Sequence, residues 1–270
     1  MEINLMPPSR RESRPCVGIS LADVPPSTLE GRIDRAAELG FRGVEVPLTG
    51  EAGAGWPHAP TLGPDERAFL KESLSRFASV ALEAPYQGTF DVTLVSPSSA
   101  IRRASLSELW SVCRVAEAVG AQTVLVRTGL PPRGLAEARA GALLGESLTT
   151  LDRMARDHGC RVALLNADLL ARLVAFGFLE TADFASVGIA LDVAAARVGG
   201  EPDAAIARFA EVHADFLLHR RVPASDDPLA YAGDDGSSGM ICLAFPEFAT
   251  DGPAAVAARR AEWERGLVRG

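Results

Sequence analysis

Leu39-Gly40-Phe41-Arg42-Gly43-Val44-Glu45-Val46-Pro47 is the run whose reading decides the fold. Upstream of it, Ser27-Thr28-Leu29-Glu30 has the form of a capping box, and Ile33, Ala36 and Ala37 follow on one helical face. Gly40 stops that helix, because glycine accepts the left-handed backbone that ends helices. Almost at once the chain enters Gly43–Pro47, a short apolar run that reads as a buried strand. A helix delivered straight into a buried strand is the joint of a parallel α/β sheet.

The same joint recurs along the 270 residues. Strand candidates are Cys16–Ser20, Gly43–Pro47, Ser79–Ala84, Thr123–Arg127, Arg161–Asn166, Val187–Asp192, Phe216–Arg220 and Met240–Phe245. Helical patterns run from Pro64 to Phe77, Ile101 to Val119, Leu135 to His158, Ala204 to Val212 and Pro253 to Leu267, with Gly120 and Gly159 closing the two longest. Tyr86–Ala100 has no period and predicts a long loop after the third strand. Pro223–Gly239 carries no helix signal, so a polar, glycine-rich loop is expected to reduce the seventh helix. Eight such strands make a single (β/α)8 TIM barrel over residues 15–270, behind a flexible N-terminal leader at residues 1–14.

Composition narrows the function classes. The formal charge of −8 opposes nucleic-acid binding and docking on anionic membranes. No apolar run is long enough to span a bilayer, and no hydrophobic signal region precedes the first strand. Cys16, Cys113, Cys160 and Cys242 form no C-x-x-C pair and are expected as reduced thiols in a cytoplasmic protein.

In a parallel barrel the chemistry sits at the C-terminal strand ends. Those ends carry Glu45, Glu83, Arg127, Leu165 with Asn166, Asp192, His219, and Leu243 with Ala244. Alternation requires Ala190 and Gly188 to point inward with Asp192, and Leu217 with His219. Asp192 and His219 lie on neighbouring strands and can hydrogen-bond as an oriented general base. Arg127 either clamps a ligand anion or pairs with Glu83. Glu45 is a proton carrier if burial raises its pKa, or else a partner for an arginine. Asn166 suits a substrate hydroxyl or a turn, and Tyr86 and Arg221 complete the substrate-binding candidates. His58, His158 and His213 carry little weight, and Gly233–Gly239 reads as a flexible lid or linker.

Several phrases together resemble the xylose isomerase-like barrels, which include sugar-phosphate isomerases and epimerases and the endonuclease IV type of repair enzyme. Leu39–Glu45 resembles the family's approach to strand two. Glu83-Ala84-Pro85-Tyr86 is similar to its strand-three end, and Val126-Arg127-Thr128-Gly129 to its strand-four end. Arg102–Ser105 with Ala116–Ala121 resembles the helix between them, and Gly188–Asp192 strand six. The resemblance implies a divalent metal held by Glu, Asp, His and Glu from strands five to eight. Asp192 and His219 occupy two of those positions. Leu165 stands at the strand-five glutamate, Leu243 or Ala244 near the strand-eight one, and Ala195 at a histidine. Glu83 and Arg127 replace histidines.

Two donors are a poor grip for a hard cation, so no cofactor is expected and manganese, zinc or cobalt is disfavoured. The favoured expectation is a metal-independent isomerase, epimerase or related proton-transfer enzyme acting on a small sugar-like or keto metabolite. Asp192, His219, Glu83 and Arg127 would be its catalytic residues, with Arg127 standing in for the metal's charge. The alternatives are a silent barrel that binds a ligand or joins a complex, and a metal-dependent sugar isomerase with displaced ligands. A homodimer or a hetero-complex is compatible with either kind of barrel.

Overall fold

The computed structural model describes residues 16–25, 28–50, 55–86, 92–165, 184–212, 216–227, 239–245 and 248–269. The strands are β1 (Cys16–Ser20), β2 (Gly43–Pro47), β3 (Ser79–Glu83), β4 (Thr123–Val126), β5 (Arg161–Leu165), β6 (Val187–Asp192), β7 (Leu217–Pro223) and β8 (Met240–Ala244). They pair in parallel, in chain order, and β8 closes on β1. The described helices are α1 (Leu29–Glu38), α2 (Pro64–Leu74), α3 (Ser99–Val119), α4 (Glu137–Asp157), α5 (Val193–Val198), α6 (Asp203–Val212) and α7 (Phe248–Arg269). The expected (β/α)8 barrel is the fold. The leader, the C-terminal part of the Pro223–Gly239 loop (residues 228–238), Asn166 and His213 lie outside the described residues.

Strand alternation sorts the apolar residues into two layers. Val44, Val46, Leu82, Val124, Val126 and Ile189 belong to the main core between sheet and helices. Ala81, Leu125, Ala163, Leu165, Ala190, Leu218 and Met240 fill the barrel itself. Gly18 and Gly43 face each other in register across β1 and β2. A Cβ on Gly43 would lie 2.5 Å from the Met240 sulfur, so the methionine fills the space these two glycines leave.

Several boundaries differ from the sequence reading. Thr28, rather than Ser27, caps α1, its Oγ1 accepting from the Gly31 amide at 3.2 Å. The sequence reading placed the Ala204–Val212 helix after β6 but missed the short α5 before it, started by Asp192, whose Oδ1 accepts from the Ala195 amide at 2.8 Å. Within α7, Gly252 takes φ 73° and breaks the helix just before Pro253, where the sequence pattern began.

The largest correction concerns β7. It runs three residues past Arg220, and its register with β6 slips: Ile189 faces Leu217, but the next residue, Ala190, faces His219. This bulge turns Leu218 and His219 successively into the barrel and leaves Leu217 in the outer core. Simple alternation, which demanded Leu217 inside, fails here. Because β7 continues to Pro223, Arg221 stands one pleat above His219 and also points inward.

Candidate active site

Glu45, near the end of β2, is fully buried and accepts four hydrogen bonds. Ser20 Oγ donates to Oε1 at 3.0 Å. Arg221 reaches across the barrel in a fork, with Nε to Oε2 at 2.9 Å and NH2 to Oε1. His219 Nε2 lies 3.0 Å from Oε2. A carboxylate only accepts, so the hydrogen of that bond belongs to His219 Nε2, and Nδ1 is buried with no partner among the described residues. The sequence reading offered an Asp192–His219 pair. The bulge of β7 gives the histidine to Glu45 instead. Burial pushes the Glu45 carboxyl up, but the Arg221 charge and the His219 contacts outweigh it and hold it well below the carboxylate range. Glu45 is therefore a fixed anion, and its other expected role, as partner of an arginine, is the one realised.

Arg221 is the hub. Besides Glu45 it donates from NH2 to Glu83 Oε2 at 2.8 Å, and its NH1 lies 3.8 Å from Asp192 Oδ2. Burial alone would lower its pKa, but the two glutamates hold it well above the ordinary arginine value. Thus β7 sends one guanidinium into carboxylates from β2, β3 and β6. Arg127, just past β4, makes a long 3.5 Å contact with the other oxygen of Glu83. Its guanidinium carbon lies 4.3 Å over the Tyr86 ring, a cation–π stack at the rim.

Asp23 was missed in the sequence. It sits three residues beyond β1, its Oδ2 accepting from the Phe245 amide at 3.1 Å. Burial pushes its carboxyl up. The Phe245 amide pulls the other way, while Glu45 adds to the rise, and the net direction is upward. The strand-end rule could have found it had the search continued into the loop after β1. Ser20 needed only the inward parity of β1. Cys242, inward on β8 and fully buried, has its thiol pushed well up by burial and by Glu45.

The residues can be tested against a divalent metal. The inner residue of β5 is Leu165, and on β8 Leu243 belongs to the outer core while Ala244 continues the inward parity of Met240 and Cys242. Neither strand supplies a carboxylate. Glu45, His219 and Cys242 do offer donor atoms within 4.8 Å of one another. Both Glu45 oxygens, however, already hold the guanidinium, and a thiol so disfavoured as an anion is a poor ligand. A cation there would also face Arg221. The described set fits a guanidinium and does not fit a divalent ion.

Residues 33–222 match the family of Xylose isomerase-like TIM barrels, and the chain belongs to that family. No curated protein sequence matches it. Among solved structures it is similar to D-psicose 3-epimerase with D-tagatose from Clostridium cellulolyticum H10, at TM-score 0.72 and 13% identity, covering 94% of this chain and 98% of that one. It is also similar to the apo 3-keto-D-glucoside 4-epimerase YcjR from E. coli, at TM-score 0.70 and 16% identity, covering 93% and 100%. A third is the IolI protein with a bound zinc atom, at TM-score 0.68 and 12% identity, covering 94% and 98%. Among the described residues no helix is long and apolar enough to cross a membrane.

Proposed function

We propose that this barrel catalyses metal-independent isomerisation, epimerisation or a related proton transfer on a small oxygenated metabolite. The observation that carries the reading is the Arg221 guanidinium, held at the strand ends by Glu45 and Glu83. Drawing a proton from carbon beside a carbonyl builds negative charge on oxygen, and a fixed buried cation stabilises that charge without reorganising. Arg221 supplies the cation in this reading, the part the sequence gave to Arg127. Asp192, half-buried beside it, takes the proton. Asp23, whose carboxyl is pushed up by burial, is placed to return one. His219 is wholly buried and bonded to Glu45, so it acts as a positioning residue for the pair.

Solvent-deuterium exchange into a panel of ketoses, aldoses and keto acids tests this, with a chelator present throughout. The expected result is exchange that survives the chelator and falls at least about a hundredfold in Arg221→Met, the size typical of a lost oxyanion donor. Exchange that appears only after manganese, cobalt or zinc is added would overturn it. A second reading, the silent barrel, draws on the same network, since every Glu45 oxygen is committed within the protein. That reading predicts no exchange on any member of the panel.

A further inference from the structure

The sequence left Arg127 between two roles, ligand clamp or partner of Glu83. The structure gives Glu83 first to Arg221, at 2.8 Å. What Arg127 receives is a 3.5 Å contact, at the outer limit of a hydrogen bond. A guanidinium carries five N–H donors. Among the described residues Arg127 uses one, weakly, and its Nε is buried with no partner. Buried donors left unmade cost stability, so a guanidinium in this state is prepared to take an acceptor from a ligand.

Its setting is that of a prepared anion fork. One face of the guanidinium lies on Tyr86, a residue 38% exposed, and the Arg127 side chain itself keeps 26% exposure. Stacking on the face leaves the in-plane N–H edges for a planar oxyanion. The backbone behind it is fixed. The Leu94 amide donates to the Thr128 carbonyl at 2.8 Å, and Gly129 turns with φ 77° where a Cβ would lie 2.8 Å from Thr93 Oγ1. Among the described residues Glu83 is the one carboxylate in contact with Arg127, and its closer contact is with Arg221, which it shares with Glu45.

We infer that the substrate is an acid, whose carboxylate or phosphate docks on Arg127 over Tyr86 while its reacting carbon lies toward Arg221. This rests on the proposed function and adds the substrate's charge to it. Calorimetric titration with matched pairs tests it: glucose against gluconate and glucuronate, and fructose against fructose 6-phosphate. Each is titrated into wild-type protein, Arg127→Met and Arg127→Lys, with folding checked by thermal melts. The expected result is binding of at least one anion about tenfold or more tighter than its neutral twin. Arg127→Met should abolish that preference, and Arg127→Lys should keep part of it. The carboxylate and phosphate arms distinguish the two sources of oxyanion. Equal binding of the twins, no saturable anion binding at millimolar concentration, or an undiminished preference in Arg127→Met would overturn the inference. Arg127-dependent anion binding without deuterium exchange would retain it and remove the catalytic reading. Exchange on neutral sugars with no anion preference would do the reverse.

Discussion

A carboxylate removed from water keeps its charge only where partners replace the lost hydration. Glu45 has them in Ser20, His219 and the Arg221 fork. Glu45→Gln keeps the shape but leaves the buried Arg221 with Glu83 as its one bonded carboxylate among the described residues, and removing one member of a buried pair costs about 3–5 kcal/mol. Urea unfolding should show that loss, and Glu45→Gln combined with Arg221→Met should cost less than the sum of the two. A sum that is strictly additive would mean that the contact carries no energy of its own. Ser20→Ala removes one hydrogen bond to the same carboxylate. Its expected cost is about 1–2 kcal/mol in the same assay.

At the scale of elements, the bulge of β7 is what makes the site, and Gly188 on β6 permits it. A Cβ at residue 188 would lie 2.5 Å from the Phe216 carbonyl oxygen and 2.7 Å from Leu218 Cγ. Backbone cannot yield as a flexible side chain can, so Gly188→Ala should cost about 2–3 kcal/mol and shift the His219 ring resonances. An unshifted histidine spectrum with full stability would show that the register slip is not held there. The strands themselves were legible, because a parallel barrel writes each one as a short apolar run. The slip was not, since alternation has no mark for an inserted residue. Reading His219 as a strand end likewise stopped β7 before Arg221 joined the ladder. This is why the sequence reading joined Asp192 to His219 and gave the central charge to Arg127.

For the whole molecule, acid dependence divides between two carboxyls of opposite sign. Glu45 is held below the ordinary carboxylate range, so it contributes stability that is present at neutral pH and lost as pH falls. Asp23 is held above it, so its contribution is present in acid and lost as pH rises through the carboxylate range. Chemical denaturation measured from about pH 3 to 8, around the normal carboxylate pKa, should separate them. Glu45→Gln should flatten the fall on the acid side. Asp23→Asn should remove a decline toward neutral pH. If either variant leaves its limb of the curve unchanged, the assignment of that limb is wrong.

Glu45 and Glu83 belong to the first three strands, whereas Asp192, His219 and Arg221 belong to the last three. Cut the chain between α4 and β5, and the leading fragment would enclose two anions with no Arg221, while the trailing fragment would hold Arg221 with neither Glu45 nor Glu83. Neither piece is electrically settled inside, so each has cause to seek the other, and reconstitution from two fragments would weaken sharply once salt or an arginine-blocking reagent reached the open faces. Duplicating either half in place of its mate would set like charges against each other at the axis. The barrel's own mouth thus enforces that its two ends be different.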